Sequence, residues 1–224
     1  LGVSAVVVGL ILYGLVPGFI EVAQYFELFC VNTLHMPYNG GVLVYAILAV
    51  ATFIWAMREL YLQRSVRAIR WSVLLTILFS GIPFIGDSLI IPVVILTAVA
   101  CYLWLGAKLP VRILNLVVTS ILVIFVGYSS YALLLIRSSA NPPMNQNAPD
   151  NVFSLASYLN REQYGERPLF YGQTNNSTVV YEADMNTGTT SPVYEEGKAI
   201  YAKEVKTSPD DPDRYKLTGY KKEY

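Results

Sequence analysis

The sequence predicts a mainly α-helical membrane domain over residues 1–136, followed by a small extracytoplasmic α+β domain over residues 137–224. Residues 1–136 are mostly apolar and hold six Lys/Arg and four Asp/Glu, whereas residues 137–224 hold ten Lys/Arg and twelve Asp/Glu. The change falls at "IRSSANPPMNQNAPDN", residues 136–151, which carries three prolines and four asparagines. The first part is too apolar for a soluble core of its length, and neither part is basic enough to predict binding to nucleic acid.

Five apolar segments come near the roughly 20 helical residues that a bilayer core requires. They are residues 1–20, 41–57, 71–85, 89–107 and 113–135. The third segment is short and contains "GIP" at residues 81–83, and only "GDS", residues 86–88, joins it to the fourth. We therefore expect the third and fourth spans to form a tight helical hairpin whose tip lies in a recess below the outer surface.

The positive residues of the membrane domain predict its orientation. All six lie in two loops, one between the second and third spans and one between the fourth and fifth: Arg58, Arg64, Arg67, Arg70, Lys108 and Arg112. The opposite loops, residues 21–40 and 86–88, contain no Lys or Arg. Because cytoplasmic loops are enriched in Lys and Arg, the fifth span should run outward. The polar domain is then extracytoplasmic, and periplasmic in a diderm bacterium whose inner membrane holds the chain.

Residues 21–40 are less regular than the spans. On a helix, Glu21, Gln24, Glu27 and Asn32 cluster on one arc, which favours a short helix lying in the outer interface over a simple loop. In the polar domain, residues 147–150 should begin a helix that ends near Gly165. "RPLFYG" and "STVVYEA" are predicted strands, and "KAIYAKEVK" with "RYKLTGYKKEY" is predicted to form a hairpin.

Two side chains are candidates for a functional site. Asp87 lies where two short helices meet and is a functional candidate if buried, although a hydrated hairpin tip is the simpler explanation. Arg137 leaves the membrane at headgroup depth, where its guanidinium could bind a lipid phosphate or serve only as an interfacial anchor. His35 is interpreted as a surface residue, Cys30 and Cys101 as free thiols at different depths, and no metal site or cofactor is evident.

Two stretches resemble a known family. "IRSSANPP" together with "NVFSLASYLNREQYGERPLFYG", within residues 136–172, and "GLVPGFIEVAQYFELFCVN", residues 14–32, look like the bacterial multi-pass membrane family known as domain of unknown function 2723. That family is similar to the animal transmembrane protein 260, a protein O-mannosyltransferase. The resemblance implies a GT-C-type glycosyltransferase that uses a polyprenyl-phosphate sugar and an extracytoplasmic protein acceptor. On that basis Arg137 is expected to contact the carrier phosphate.

The chain departs from the family at its acidic catalytic motif, a Trp-Asp-x-Gly-Glu-like sequence in the first outer loop. Residues 21–40 contain neither Trp nor Asp, so no catalytic residue can be assigned here. Because the chain starts with leucine inside an apolar run, we expect it to be an internal fragment whose catalytic carboxylates, and any divalent metal, belong to the upstream part. The alternative function is a non-enzymatic membrane anchor that presents an extracytoplasmic binding or assembly domain.

Overall fold

The computed structural model describes residues 2, 4, 8–9, 11–84, 90–106, 110–161, 181–183, 190–192, 195–206, 208 and 211–223. A π-helical turn, Ile11–Leu15, leads into the first of the α-helices. The helices are α1 Val16–Asn32, α2 Gly40–Leu62, α3 Val66–Phe79, α4 Ile90–Leu105, α5 Val111–Tyr128, α6 Ser130–Ser139 and α7 Val152–Leu159. The strands are β1 Tyr181–Ala183, β2 Thr190–Pro192, β3 Glu195–Lys203 and β4 Tyr215–Glu223. The predicted mainly helical fold is confirmed.

Two helical segments are long and apolar enough to cross a membrane: α2 and the nearly continuous rod formed by α5 and α6, Val111–Ser139. Only 28% and 17% of the residues in their most apolar 18-residue windows are buried. Such exposure of apolar side chains is expected for helices surrounded by lipid and is unusual for the core helices of soluble proteins. The described part of the chain therefore supports two membrane-spanning helices, and the prediction of five spans is not supported.

Several predicted boundaries are wrong. α1 runs unbroken from Val16 to Asn32, so residues 21–32 are not a separate interfacial helix. α2 extends beyond residue 57 to Leu62, and Gln63 ends it in a left-handed conformation (φ 48°). α3 covers Val66–Phe79 rather than residues 71–85. A fall in hydropathy marks the edge of the apolar layer, but a helix can continue past that edge because its polar side chains remain hydrated there.

The helices pack around α2, which contacts α1, α3 and α5. The main buried cluster combines Leu15 of the π-helical turn with residues of α2 to α5: Phe53, Ala56, Leu60, Ile69, Val73, Leu103, Leu114, Val118 and Ile121. Small polar residues line the face that α3 turns to α2. Thr76, fully buried, donates from its hydroxyl to the Thr52 carbonyl of α2 at 3.0 Å. Small side chains let two helix backbones approach closely where lipid gives no hydrophobic drive for association.

The segment after α3 is irregular and buried against the start of α1. Gly81 has φ +77°, and a Cβ atom there would overlap the backbone of Phe19 and lie 2.5 Å from the Gly18 carbonyl carbon. A Cβ atom on Gly18 would likewise overlap the Gly81 carbonyl oxygen. Non-helical backbone is tolerated at membrane depth only where protein covers it. Glycine is therefore required at both positions for the segment after α3 to pack against the start of α1.

α3 is shorter than a membrane-spanning helix. Its 14 residues reach about 21 Å at 1.5 Å per residue, less than the roughly 30 Å of a bilayer core. The tyrosine hydroxyl of Tyr45 donates to the Phe79 carbonyl, 2.8 Å away, at the point where α3 ends. The predicted hairpin tip, residues 86–88, lies outside the described residues.

The α5–α6 rod ends just before the prolines, as the sequence predicts, although it continues past residue 135 to Ser139. The Ser138 hydroxyl donates to the Asn145 side-chain oxygen at 2.9 Å, and the Asn145 amide returns a bond to the Ser138 carbonyl at 3.3 Å. This pair fixes the direction in which the chain leaves the rod.

The polar part contains the predicted hairpin, in which β3 and β4 pair antiparallel with Tyr201 opposite Leu217 and Lys203 opposite Tyr215. The short strands β1 and β2 pair with each other, and β1 is the end of the predicted strand "STVVYEA". The predicted strand "RPLFYG" lies outside the described residues. The helix does not begin at residues 147–150, because Asn151 is the N-cap and its side chain accepts from the Phe153 and Ser154 amides.

Candidate functional site

Glu27 lies at the centre of a polar junction between the helical unit and the β3–β4 hairpin. Its side chain is fully buried. One carboxyl oxygen accepts from the Asn39 amide at 2.5 Å, and the other accepts from the Val42 amide at 3.1 Å. The first N–H groups of a helix have no acceptor within that helix, and these two amides lie at the start of α2. The carboxyl group of Glu27, which belongs to α1, therefore caps the N-terminus of α2.

A glycine also allows the backbones of α1 and α2 to lie very close together beside Glu27. A Cβ atom on Gly41 would lie 2.5 Å from the Glu27 Cα and 2.5 Å from the Phe26 carbonyl oxygen. Asn39 precedes it with a left-handed φ of 67°, a conformation that asparagine tolerates better than most residues. The "NGG" sequence therefore lets the first amides of α2 reach Glu27.

Tyr215 brings the hairpin to Glu27. Its hydroxyl donates to the carboxyl group of Glu27 at 3.2 Å. Its ring packs against Tyr38 and Phe153, with centroid distances of 5.0 Å in both cases. Burial, followed by the nearby Glu27, raises the pKa of Tyr215 well above its usual value. The phenol therefore remains a neutral hydrogen-bond donor at physiological pH.

Contacts with the backbone of Tyr215 and Arg214 hold the hairpin at the C-terminal end of α1. The Asn32 side chain donates to the Tyr215 carbonyl at 3.1 Å and accepts from the Tyr215 amide at 2.9 Å. The amide side chain thus occupies the place of a neighbouring strand at the edge of β4. The Tyr38 hydroxyl adds a bond to the Arg214 carbonyl at 2.9 Å.

Two ion pairs flank these contacts. Lys203 pairs with Asp150 and lies over the Tyr38 ring, 5.1 Å from its centroid. Lys206 pairs with Asp213 at 2.8 Å, and Asp213 also accepts from the Tyr38 amide at 3.2 Å. The hydrogen bond from Lys206 holds the pKa of Asp213 below its usual range, although partial burial opposes the shift.

Acidification should weaken the contact between the hairpin loop and Tyr38. Because the pKa of Asp213 is lower in the folded state, its contribution is present above the unfolded value of about 3.9 and is lost as pH falls through the folded value. Exchange protection of the Tyr38 amide should therefore hold from neutral pH down to about pH 4 and fall as the pH is lowered further. The variant Asp213→Asn should lack this pH dependence and lose less than about 1 kcal/mol at neutral pH, since the pair is partly exposed. Equal pH profiles for both proteins would contradict the assignment.

The described contacts of this junction include neither of the two residues that the sequence predicts for a functional site. Asp87 is outside the described residues. Arg137 is exposed in the last turn of α6. His35 is exposed, as predicted, on the loop between α1 and α2. Cys30 is buried and Cys101 exposed, and both thiols are free. No group of three metal-ligating side chains occurs among the described residues.

Sequence reasoning missed Glu27 as the central residue and placed it on the hydrated arc of an interfacial helix. No local pattern reveals its role, because Tyr215 is 188 residues away in the chain. The nearest signal is the "NGG" that follows 12 residues later, which marks a helix start that tolerates very close approach. Since Glu27 is fully buried, the junction is suited to fixing geometry and not to contacting a substrate.

The comparisons with known proteins add no family. No protein-family model matches the chain, no curated protein matches it and no solved structure matches it. The resemblance described above therefore stays a prediction.

Proposed function

We propose that this chain is a membrane-embedded unit that holds an extracytoplasmic α+β domain in a fixed position, within a protein that transfers a sugar from a polyprenyl-phosphate donor to an extracytoplasmic protein. The observation that carries the first half is the junction in which the buried Glu27 and Tyr215 meet and the Asn32 side chain binds the edge of β4. The resemblance of residues 14–32 and 136–172 alone supports the second half, with mannose as the sugar.

The junction supports a fixed domain because it links three separate parts of the chain. Glu27 accepts from the start of α2 and from the hairpin. The Asn39 side chain donates to the Asp150 carbonyl at 3.0 Å, just before α7. Val152 of α7 is buried with Val22 of α1. A domain attached by a flexible linker would need none of these buried polar contacts, which are costly to leave unmade.

The distribution of charge and aromatic residues supports the predicted orientation. The junction lies where α2 begins, whereas Arg58 lies about 27 Å further along that helix. Arg64 follows the end of α2. Near that far end, Arg70 lies over the Trp104 ring, 5.9 Å from its centroid, and Trp71 packs on Trp104. Tryptophan marks either membrane interface, and the excess of arginine is typical of the cytoplasmic one. The inner membrane of a bacterium is the location that we propose.

Impermeant thiol labelling should distinguish the two ends. A cysteine placed at Ser139, which is exposed next to the junction side, should react in intact cells. One at Gln63, which is exposed at the far end of α2, should react only after the membrane is permeabilised. Both variants should start from a protein in which Cys30 and Cys101 are replaced by serine. Labelling at Gln63 with protection at Ser139 would invert the orientation.

The enzymatic half of the proposal is tested with the full-length protein. Membranes containing it should transfer radiolabelled mannose from polyprenyl-phosphate mannose to an extracytoplasmic protein, and Asn32→Leu should reduce transfer because it releases β4. The matched control is Asn145→Leu, which breaks only the turn after α6. If the full-length protein transfers no sugar while Asn32→Leu still frees the hairpin, the alternative of a non-enzymatic anchor presenting a binding or assembly domain is correct.

A further inference from the structure

An open apolar groove runs along the α5–α6 rod, beside the π-helical turn near the start of the chain. Its volume is about 510 Å³, within the range of pockets that hold small ligands. The described residues that line it are Val8, Ile11, Val123, Ile124, Gly127, Tyr128, Ser130 and Tyr131. Five of these eight side chains are aliphatic or absent, so the groove suits a hydrocarbon chain.

The floor and rim of the groove have different chemistry. A Cβ atom on Gly127 would meet no atom within 4 Å, so the floor is open at that point. Tyr128 and Tyr131 stack on each other at the rim, 5.6 Å between centroids. The hydroxyls of Ser129 and Ser130 are satisfied within the rod by the Val126 and Gly127 carbonyls. The groove is therefore apolar at its base and amphipathic only at the tyrosine end.

The depth of the groove places it in the outer leaflet. At 1.5 Å per residue, Val123 lies about 18 Å and Tyr131 about 30 Å along the rod from Val111. A bilayer core is about 30 Å thick. The groove therefore covers the outer half of the core, and its two tyrosines lie at the boundary that tyrosine prefers.

Arg137 lies beyond the groove along the rod, in the last turn of α6. It follows Ser130 by seven residues, which is two helical turns, so the two share one face about 10 Å apart. Arg137 is exposed, and no acidic side chain among the described residues pairs with it. An exposed guanidinium at headgroup depth binds phosphate oxygens through two parallel hydrogen bonds.

We propose that this groove and Arg137 form a binding site for one glycerophospholipid of the outer leaflet, with an acyl chain along Gly127 and the phosphate on Arg137. The proposal rests on the membrane embedding and orientation proposed above, and it assigns to Arg137 a phospholipid phosphate instead of the carrier phosphate that the resemblance implies. Along the rod, the apolar lining with its open floor comes first, the aromatic rim second and the cation last. A phospholipid presents its acyl chain, ester region and phosphate in the same order.

Native mass spectrometry of the 224-residue chain tests the site. The protein is loaded with dioleoyl phosphatidylglycerol in detergent, and the lipid retained is measured as collision energy rises. The wild type should keep one lipid at energies that remove the others. Gly127→Phe, which fills open space, and Arg137→Gln should each lower the retained fraction at least fivefold, whereas Arg137→Lys should keep an intermediate fraction.

The matched control is Leu116→Phe, which adds bulk to an exposed apolar position of α5 outside the groove. It should retain lipid as the wild type does, and unchanged thermal unfolding should show that all variants fold. Equal retention in Gly127→Phe and wild type would overturn the site. Displacement of the retained phospholipid by equimolar polyprenyl phosphate would overturn the choice of ligand. Inverted thiol labelling would instead contradict the orientation proposed above.

Discussion

Gly81→Ala should strongly destabilise the helical unit. The added Cβ would overlap the backbone of Phe19, and Gly81 already has a φ of +77°, which costs a residue with a side chain about 1–2 kcal/mol. Because the obstructing atoms belong to the backbone, neither side can move a side chain to make room. We expect a loss of about 3 kcal/mol or more in the free energy of unfolding, as strain and overpacking add. Urea unfolding in mild detergent, followed by size-exclusion chromatography, would measure it.

Gly18→Ala approaches the same contact from α1 and should have an effect of similar size, since its Cβ would overlap the Gly81 carbonyl oxygen. Gly127→Ala is the matched control, because it adds the same methyl group in a helix where no atom lies within 4 Å. That variant should be unchanged or more stable by up to about 1 kcal/mol. Equal stability of Gly81→Ala and Gly127→Ala would mean that α1 and the segment after α3 do not touch.

The features that local sequence predicts correctly are those set by neighbouring residues. Alternation and turn residues located the β3–β4 hairpin, and Pro142 and Pro143 located the end of the α5–α6 rod. Hydropathy located the two helices of membrane length, although it also predicted three further spans that the described residues do not support. In each case the physical cause acts over a few residues, as a backbone restriction or a burial pattern.

The features that the sequence analysis missed depend on contacts between segments that are distant in the chain. "FIEVAQYFELFCVN" reads as an interfacial stretch because it contains two glutamates, yet it continues α1. Burying a glutamate there is tolerated only because the amides of α2 and the hydroxyl of Tyr215 donate hydrogen bonds to it, which offset the cost of removing it from water. Similarly, "SGIP" predicts an interruption, but nothing in it indicates that Gly81 lies against Gly18.

Glu27→Ala should separate the hairpin from the helical unit and weaken the start of α2. It would leave the amides of Asn39 and Val42 and the hydroxyl of Tyr215 without their acceptor in a buried site. Each buried unsatisfied group costs about 1–3 kcal/mol, so we expect a loss of about 3 kcal/mol or more. Hydrogen exchange should speed up at the Val42 amide and along β4, and limited proteolysis should cut the loop between β3 and β4 faster.

Tyr215→Phe isolates one arm of this junction. It removes a single donor from Glu27 and should cost about 1 kcal/mol, with faster exchange in β4 but an unchanged rate at Val42. In the double variant with Glu27→Ala, the two effects should not add, because the residues share one hydrogen bond. Glu204→Ala removes an exposed carboxyl group and should change stability by less than about 0.5 kcal/mol. If Glu27→Ala left exchange at both Val42 and β4 as slow as Glu204→Ala does, the carboxyl group of Glu27 would not be what joins the β3–β4 hairpin to the helices.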